Sequence, residues 1–87
     1  MMTARRIPRR LGEKLCAIRK HRGWSLDQMA EAVGRTGSSR RARVHEWEQG
    51  TRQPDLAALL VYARLAGVST DVLIDDEVEL KLDEVEV

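Results

Sequence analysis

At 87 residues, with 3% aromatics and no Phe, the chain is close to the smallest size that sustains one apolar core; a single domain built from Leu, Val, Ala and Met, and therefore helical, is expected. A single cysteine, Cys16, excludes an internal disulfide, no apolar run is long enough for a bilayer, and the basic start "MMTARRIPRR" lacks the apolar stretch of a secretory signal, so a reducing, cytoplasmic setting without membrane contact is expected. The net charge of +1 hides a split: residues 1–54 hold 13 of the 15 bases and 5 of the 14 acids, a net +8, whereas residues 55–87 hold 2 bases and 9 acids, a net −7, which points to a polyanionic partner for the basic part.

Residues 1–10 read as a basic arm, "RRIPRR" being suited to phosphates or a minor groove, or else a solvated tail. In "LGEKLCAIRKHRG" the apolar Leu11, Leu15 and Ile18 recur near the 3.6 period and Gly23 stops the pattern, which predicts a first helix. "WSLDQMAEAVG" predicts a second, with Ser25 as N-cap, Gln28 completing a capping box, and Trp24 ahead of Met29 as a hydrophobic staple. Gly34 closes it. "RRARVHEWEQG" places Val44 and Trp47 on one side of a short third helix ended by Gly50.

Asp55 is placed to cap "LAALLVYARLAG", where Leu56, Leu59, Leu60 and Ala63 form an apolar stripe on what should be the most buried helix. Ser69 caps a short fifth helix containing Val72 and Leu73. The acidic end, "DDEVELKLDEVEV", alternates Val78, Leu80 and Leu82 with charges, the period of a strand.

"GRTGSSRRARVHEWEQG" admits three readings. A phosphate loop of the Walker type needs GxxxxGK[ST] after a buried strand, but here the glycines follow a helix and no Lys is present. The "GRTG" also fits the GxxG of a KH domain, yet a chain with at most one strand cannot supply the accompanying sheet. Two short helices joined through a glycine-containing turn, the second opening on arginines, satisfy the third reading, a DNA-reading helix-turn-helix.

The stretches "LGEKLCAIRKHRGWSLDQMA", "VHEWEQG" and "PDLAALLVYARLAGVSTDVLI" resemble the phage repressor and Cro-like (Xre-type) helix-turn-helix family from Leu11 to Ile74. The resemblance implies an all-α, five-helix, lambda-repressor-like bundle over 11–74, to which the pattern adds a strand-like acidic tail at 75–87. It also implies a buried ion pair, Arg19 with Glu48. Stepping about 100° per residue from Val44 keeps Trp47 and Glu48 inward and turns Ala42, Arg43, His45, Glu46 and Gln49 outward.

Through the same resemblance, helix 40–49 enters the major groove and base contacts fall to Arg41, Ala42, Arg43 and Glu46. Arg41 suits guanine O6 and N7, Ala42 a thymine methyl, and Glu46 the cytosine amino group, with Arg43 able to take a base or a phosphate. Phosphate contacts fall to Arg35, Ser39, Arg40 and Arg52, since these need charge or a donor more than a fixed geometry. Ser38 or Ser39 also reads as the N-cap of the third helix.

Two departures from the family stand out: the turn after Gly34 is about four residues longer than usual, and the common Gln after the helix-two cap is Leu26. The Gly, Thr and Ser residues of the longer turn read equally as a plain surface insertion.

Trp47 and Trp24 read as packing residues and Cys16 as an inert one. His21 and His45 have no ligand spacing around them, so no metal and no cofactor are expected, and nothing in the chain suggests a catalytic site. The expected function is a sequence-specific double-stranded DNA-binding transcriptional regulator, a repressor, acting as a homodimer joined through the fifth helix or the tail. Two rivals share the fold: an antitoxin whose acidic end masks a small basic protein, and a protein-interaction module without DNA binding.

Overall fold

The computed structural model describes residues 7–82 and contains five helices: α1 (Leu11–His21), α2 (Leu26–Ala32), α3 (Arg40–Gln49), α4 (Leu56–Ala66) and α5 (Thr70–Ile74). Local chemistry sets most of their ends. Gln28 N–H donates to Ser25 Oγ at 3.1 Å while Ser25 N–H donates to Gln28 Oε1 at 2.7 Å, a complete capping box at the start of α2. Ala58 N–H donates to Asp55 Oδ1 at 2.8 Å and fixes the start of α4. Gly50, at φ +81°, reverses the chain after α3, and Thr51 N–H reaches back to the Glu46 carbonyl at 3.0 Å.

Ser39 and Ser69 occupy the cap positions of α3 and α5, but neither side chain makes a cap hydrogen bond. At Ser39 the backbone (φ −99°, ψ 9°) lies outside the extended region from which a cap hydroxyl turns back onto the helix amides, so the expected bond is missing.

The core gathers Leu11, Leu15 and Ile18 from α1, Met29 and Ala30 from α2, Val44 and Trp47 from α3, four residues of α4 and Leu73. Trp47 meets Tyr62 edge-on, ring centroids 6.4 Å apart at 73°. The third helix packs on both α1 and α2, and α4 packs on α1 and α5.

Two expectations from sequence are corrected by the fold. The buried face of α4 is Ala58, Leu59, Tyr62 and Ala63, so Leu59 and Ala63 of the expected stripe are inside, while Leu56 is 79% exposed and Leu60 41% exposed. The helix is turned by roughly one residue step, about 100°; the bulky ring of Tyr62 takes the interior that Leu56 and Leu60 would have filled. The described part of the tail, residues 75–82, contains no strand. A strand needs a ladder partner, and the described residues of one copy offer none; instead Leu80 and Leu82 pack on the bundle. Residues 83–87 of the expected strand-like tail, and residues 1–6 of the arm, lie outside the described residues.

What holds residues 72–78 in place is a lysine that the sequence would put in solvent. Lys14 on α1 is 3% exposed, and its Nζ donates to the carbonyls of Val72, Asp75 and Val78 at 2.7, 2.9 and 2.7 Å. The three carbonyls supply the partial charge that a buried ammonium requires. Asp76 completes the clasp by accepting the backbone N–H groups of Arg9 and Arg10, both at 2.9 Å, and these two bonds hold its carboxyl below the usual carboxylate range.

Tyr62 is fully buried and its hydroxyl has no protein partner among the described residues. Burial, reinforced by the Glu48 charge, pushes the phenol well above its ordinary range. Tyr62→Phe is therefore expected to raise stability by about 1 kcal/mol, because it removes a polar group that is desolvated without compensation. A higher urea midpoint at unchanged slope is the measurement. Above pH ~10 the unfolded phenol loses its proton while the folded one keeps it, so the wild type loses stability as pH rises through that range. The variant lacks this component; an unaltered midpoint and an identical alkaline slope would contradict both expectations.

Candidate nucleic-acid interface

The third helix has one face anchored and one face presented. Val44, Trp47 and Glu48 are buried, whereas Arg41, Ala42, His45 and Gln49 are exposed and Arg40, Arg43 and Glu46 are half-buried. The anchor is electrostatic as well as apolar. Arg19 Nε lies 2.7 Å from Glu48 Oε2 and Arg19 Nη2 3.0 Å from Oε1, a two-pronged pair, while Nη1 donates to the Trp24 carbonyl at 2.8 Å. One guanidinium thus ties α1 to the turn before α2 and to the last turn of α3. The Glu48 hydrogen bond and charge raise the Arg19 pKa further above its already high value.

On the presented face, each arginine that the sequence singles out meets a carboxylate or a ring. Arg41 Nη2 donates to Asp27 Oδ2 at 2.9 Å, and Arg40 Nε lies 3.6 Å from Asp27 Oδ1 while its Nη1 donates to the Gly37 carbonyl at 3.2 Å. The Arg41 bond, with the nearby positive charges, holds the Asp27 carboxyl below its ordinary range. Arg52 Nε and Arg43 Nε converge on Glu46 Oε1 at 2.9 and 3.5 Å. Pairs this exposed contribute little to the stability of the fold.

Arg35 is placed differently. Its guanidinium lies 5.7 Å from the Trp47 ring centroid, and its Nη1 sits 3.3 Å from Asp55 Oδ2, on the same carboxylate that caps α4. It braces the turn of residues 33–39 against the core, a structural role on top of any contact with phosphate. Ser39 is exposed and its hydroxyl is not spent on the cap.

Arg40 and Arg41 therefore gather on Asp27, and Arg43 and Arg52 on Glu46, while Arg19 and Glu48 hold α3 from within. Sequence reasoning missed Asp27. It stands in the α2 first turn, 14 positions before Arg41, and no local spacing rule links the two; the only signal was an acid in the helix that the turn folds back onto α3.

A family profile described as helix-turn-helix matches residues 17–73. An SPbeta prophage-derived uncharacterized HTH-type transcriptional regulator, YonR, of Bacillus subtilis (strain 168) is 35% identical over 75 residues, which are 85% of this chain and 66% of that protein. The chain thus spans just under two thirds of that relative's length. The P22 c2 repressor, solved in complex with synthetic operator 9T in the presence of Tl+, shares the fold with a TM-score of 0.63 at 23% identity, over 76% of this chain and 94% of that one.

Proposed function

Because the chain belongs to the helix-turn-helix family, we propose that it is a transcriptional repressor that reads double-stranded DNA with α3 in the major groove. The observation that carries this reading is the division of α3 itself: Val44, Trp47 and Glu48 are buried and fix it to the body, while Arg41, Ala42, His45 and Gln49 are exposed, with Arg40 and Arg43 half-buried and Arg52 just beyond the helix. An anchored helix with arginines left accessible beside it is what direct readout requires. The relatives point the same way, one being a transcriptional regulator and one a repressor held on an operator.

Arg41 addresses guanine O6 and N7, Ala42 a thymine methyl, and Glu46 a cytosine amino group once it releases Arg52; Arg43 takes a base or a phosphate. Arg35, Ser39, Arg40 and Arg52 grip phosphates. The protein acts as a two-fold homodimer on paired half-sites. A second reading, an antitoxin that also binds a small basic protein, rests on the net −7 of residues 55–87 and is distinguished by co-purification with such a protein.

The deciding experiment selects duplexes from a randomised pool and measures binding at several salt concentrations. The logarithm of affinity is expected to fall with the logarithm of salt by about 0.9 per neutralised phosphate. Arg41→Ala is expected to flatten the preference at one base pair per half-site by about tenfold, within the range for a lost bidentate contact. Absence of any salt-dependent binding would overturn the DNA reading; an unaltered sequence preference in Arg41→Ala would overturn the guanine assignment alone.

A further inference from the structure

We propose that Asp27 is a positioning residue for base reading by Arg41: it holds that guanidinium by one edge and keeps it from docking on phosphate. The inference rests on the proposed DNA-binding function. Three observations support it, beginning with geometry. Asp27 Oδ2 accepts a single N–H, from Arg41 Nη2 at 2.9 Å. A guanidinium carries five N–H donors in a rigid fork, so four remain for a base edge.

The Arg41 side chain is also 65% exposed, which leaves the unused part of the fork open to solvent. Asp27 is, in addition, not part of the cap of the helix it sits on. The start of α2 is closed by Ser25 and Gln28, whose reciprocal bonds satisfy the cap without it. Its carboxylate is committed to the arginines of α3, Arg40 Nε included at 3.6 Å.

Two effects result. An arginine held at one edge has fewer directions in which to point its free fork, which favours the one base geometry that accepts it. A carboxylate on the face that phosphates approach also repels the backbone of any duplex, whatever its sequence. Specific contacts replace that interaction with bonds to a base edge; sequence-independent contacts do not. Asp27 thereby widens the gap between the right site and all others.

The test compares wild type, Asp27→Asn, Arg41→Ala and the double variant on a duplex selected by the wild type, on single-base-pair variants of it, and on poly(dI-dC). Asn keeps the shape and removes the charge. Asp27→Asn is expected to bind poly(dI-dC) about fivefold more tightly near physiological salt, with a salt slope steeper by about 0.9 per subunit. Its discrimination at the base pair under Arg41 is expected to fall about tenfold. Adding Arg41→Ala should produce no further loss at that base pair, the signature of coupled residues, while the thermal midpoint of Asp27→Asn stays close to wild type.

An unchanged salt slope and an unchanged single-base profile in Asp27→Asn, with wild-type binding intact, would overturn the role of Asp27 and leave the DNA reading standing. Failure of the wild type to bind any duplex would overturn both.

Discussion

Arg19→Met is expected to destabilise the fold by about 3–5 kcal/mol, the usual penalty for removing one member of a buried ion pair. The Glu48 side chain is 3% exposed and both of its oxygens face Arg19, at 2.7 and 3.0 Å. Without the guanidinium, that carboxylate is left in the interior with no counter-charge, and the Trp24 carbonyl loses its donor. For a domain of this length each kcal/mol is worth several degrees, so a fall in melting temperature on the order of 20 °C is expected.

Removing both members of the pair should have a much smaller effect than removing one. Replacing both by apolar residues, Arg19→Met with Glu48→Leu, is expected to recover most of the loss, because neither charge then has to be desolvated. Arg19→Met at wild-type stability, or a double variant worse than the single, would show that the ion pair is not what holds α3 to α1. DNA binding is a separate readout. The double variant is expected to keep its sequence preference, since neither residue is on the presented face.

Gly12→Ala is expected to destabilise the fold by about 2 kcal/mol, although alanine is the better helix former by about 1 kcal/mol. The reason lies across the interface between α1 and α3. A Cβ at residue 12 would stand 2.6 Å from the Glu48 carbonyl oxygen and 3.1 Å from both the Glu48 carbonyl carbon and the Trp47 oxygen. All three are backbone atoms, so no flexible side-chain end can swing aside. The helices must separate, and separation opens packing around Leu11, Leu15, Val44 and Trp47, all of which are buried.

The measurement is the urea midpoint of Gly12→Ala against wild type. A midpoint equal to or above wild type would mean that the two backbones yield more easily than their packing suggests. Because the move displaces the helix that carries Arg41, a parallel drop in affinity for a selected duplex is expected.

Much of this molecule is legible along the chain because much of it is decided within a few residues. Ser25 with Gln28, Asp55 ahead of Ala58, and Gly50 after Gln49 each set a helix end through bonds to near neighbours. The inward face of α3 is readable for a related reason: Val44 and Trp47 are the only large apolar residues in a helix of charges, so only one rotation buries them. The rotation of α4 is not readable, since most of "LAALLVYARLA" is apolar and several faces qualify as a stripe. Packing against α1 and α5 settled it in favour of Tyr62, leaving Leu56 and Leu60 outside.

Charges divide along the same line. That a basic half faces a polyanion is an expectation composition alone supports, because the excess is present wherever the residues end up. Apart from Arg19 with Glu48, which the family resemblance implied, which charged group meets which partner is not readable, since Asp27 with Arg41, Lys14 with the Val72, Asp75 and Val78 carbonyls, and Asp76 with the Arg9 and Arg10 amides all join residues far apart in the chain. An alternating "VELKL" likewise carries the period of a strand, but without a ladder partner its described residues pack Leu80 and Leu82 on the bundle. Sequence alone therefore determined the helices, their principal caps and the family. The fold decided how the helices turn toward one another and which side chains meet across them, because distances between elements are set by packing.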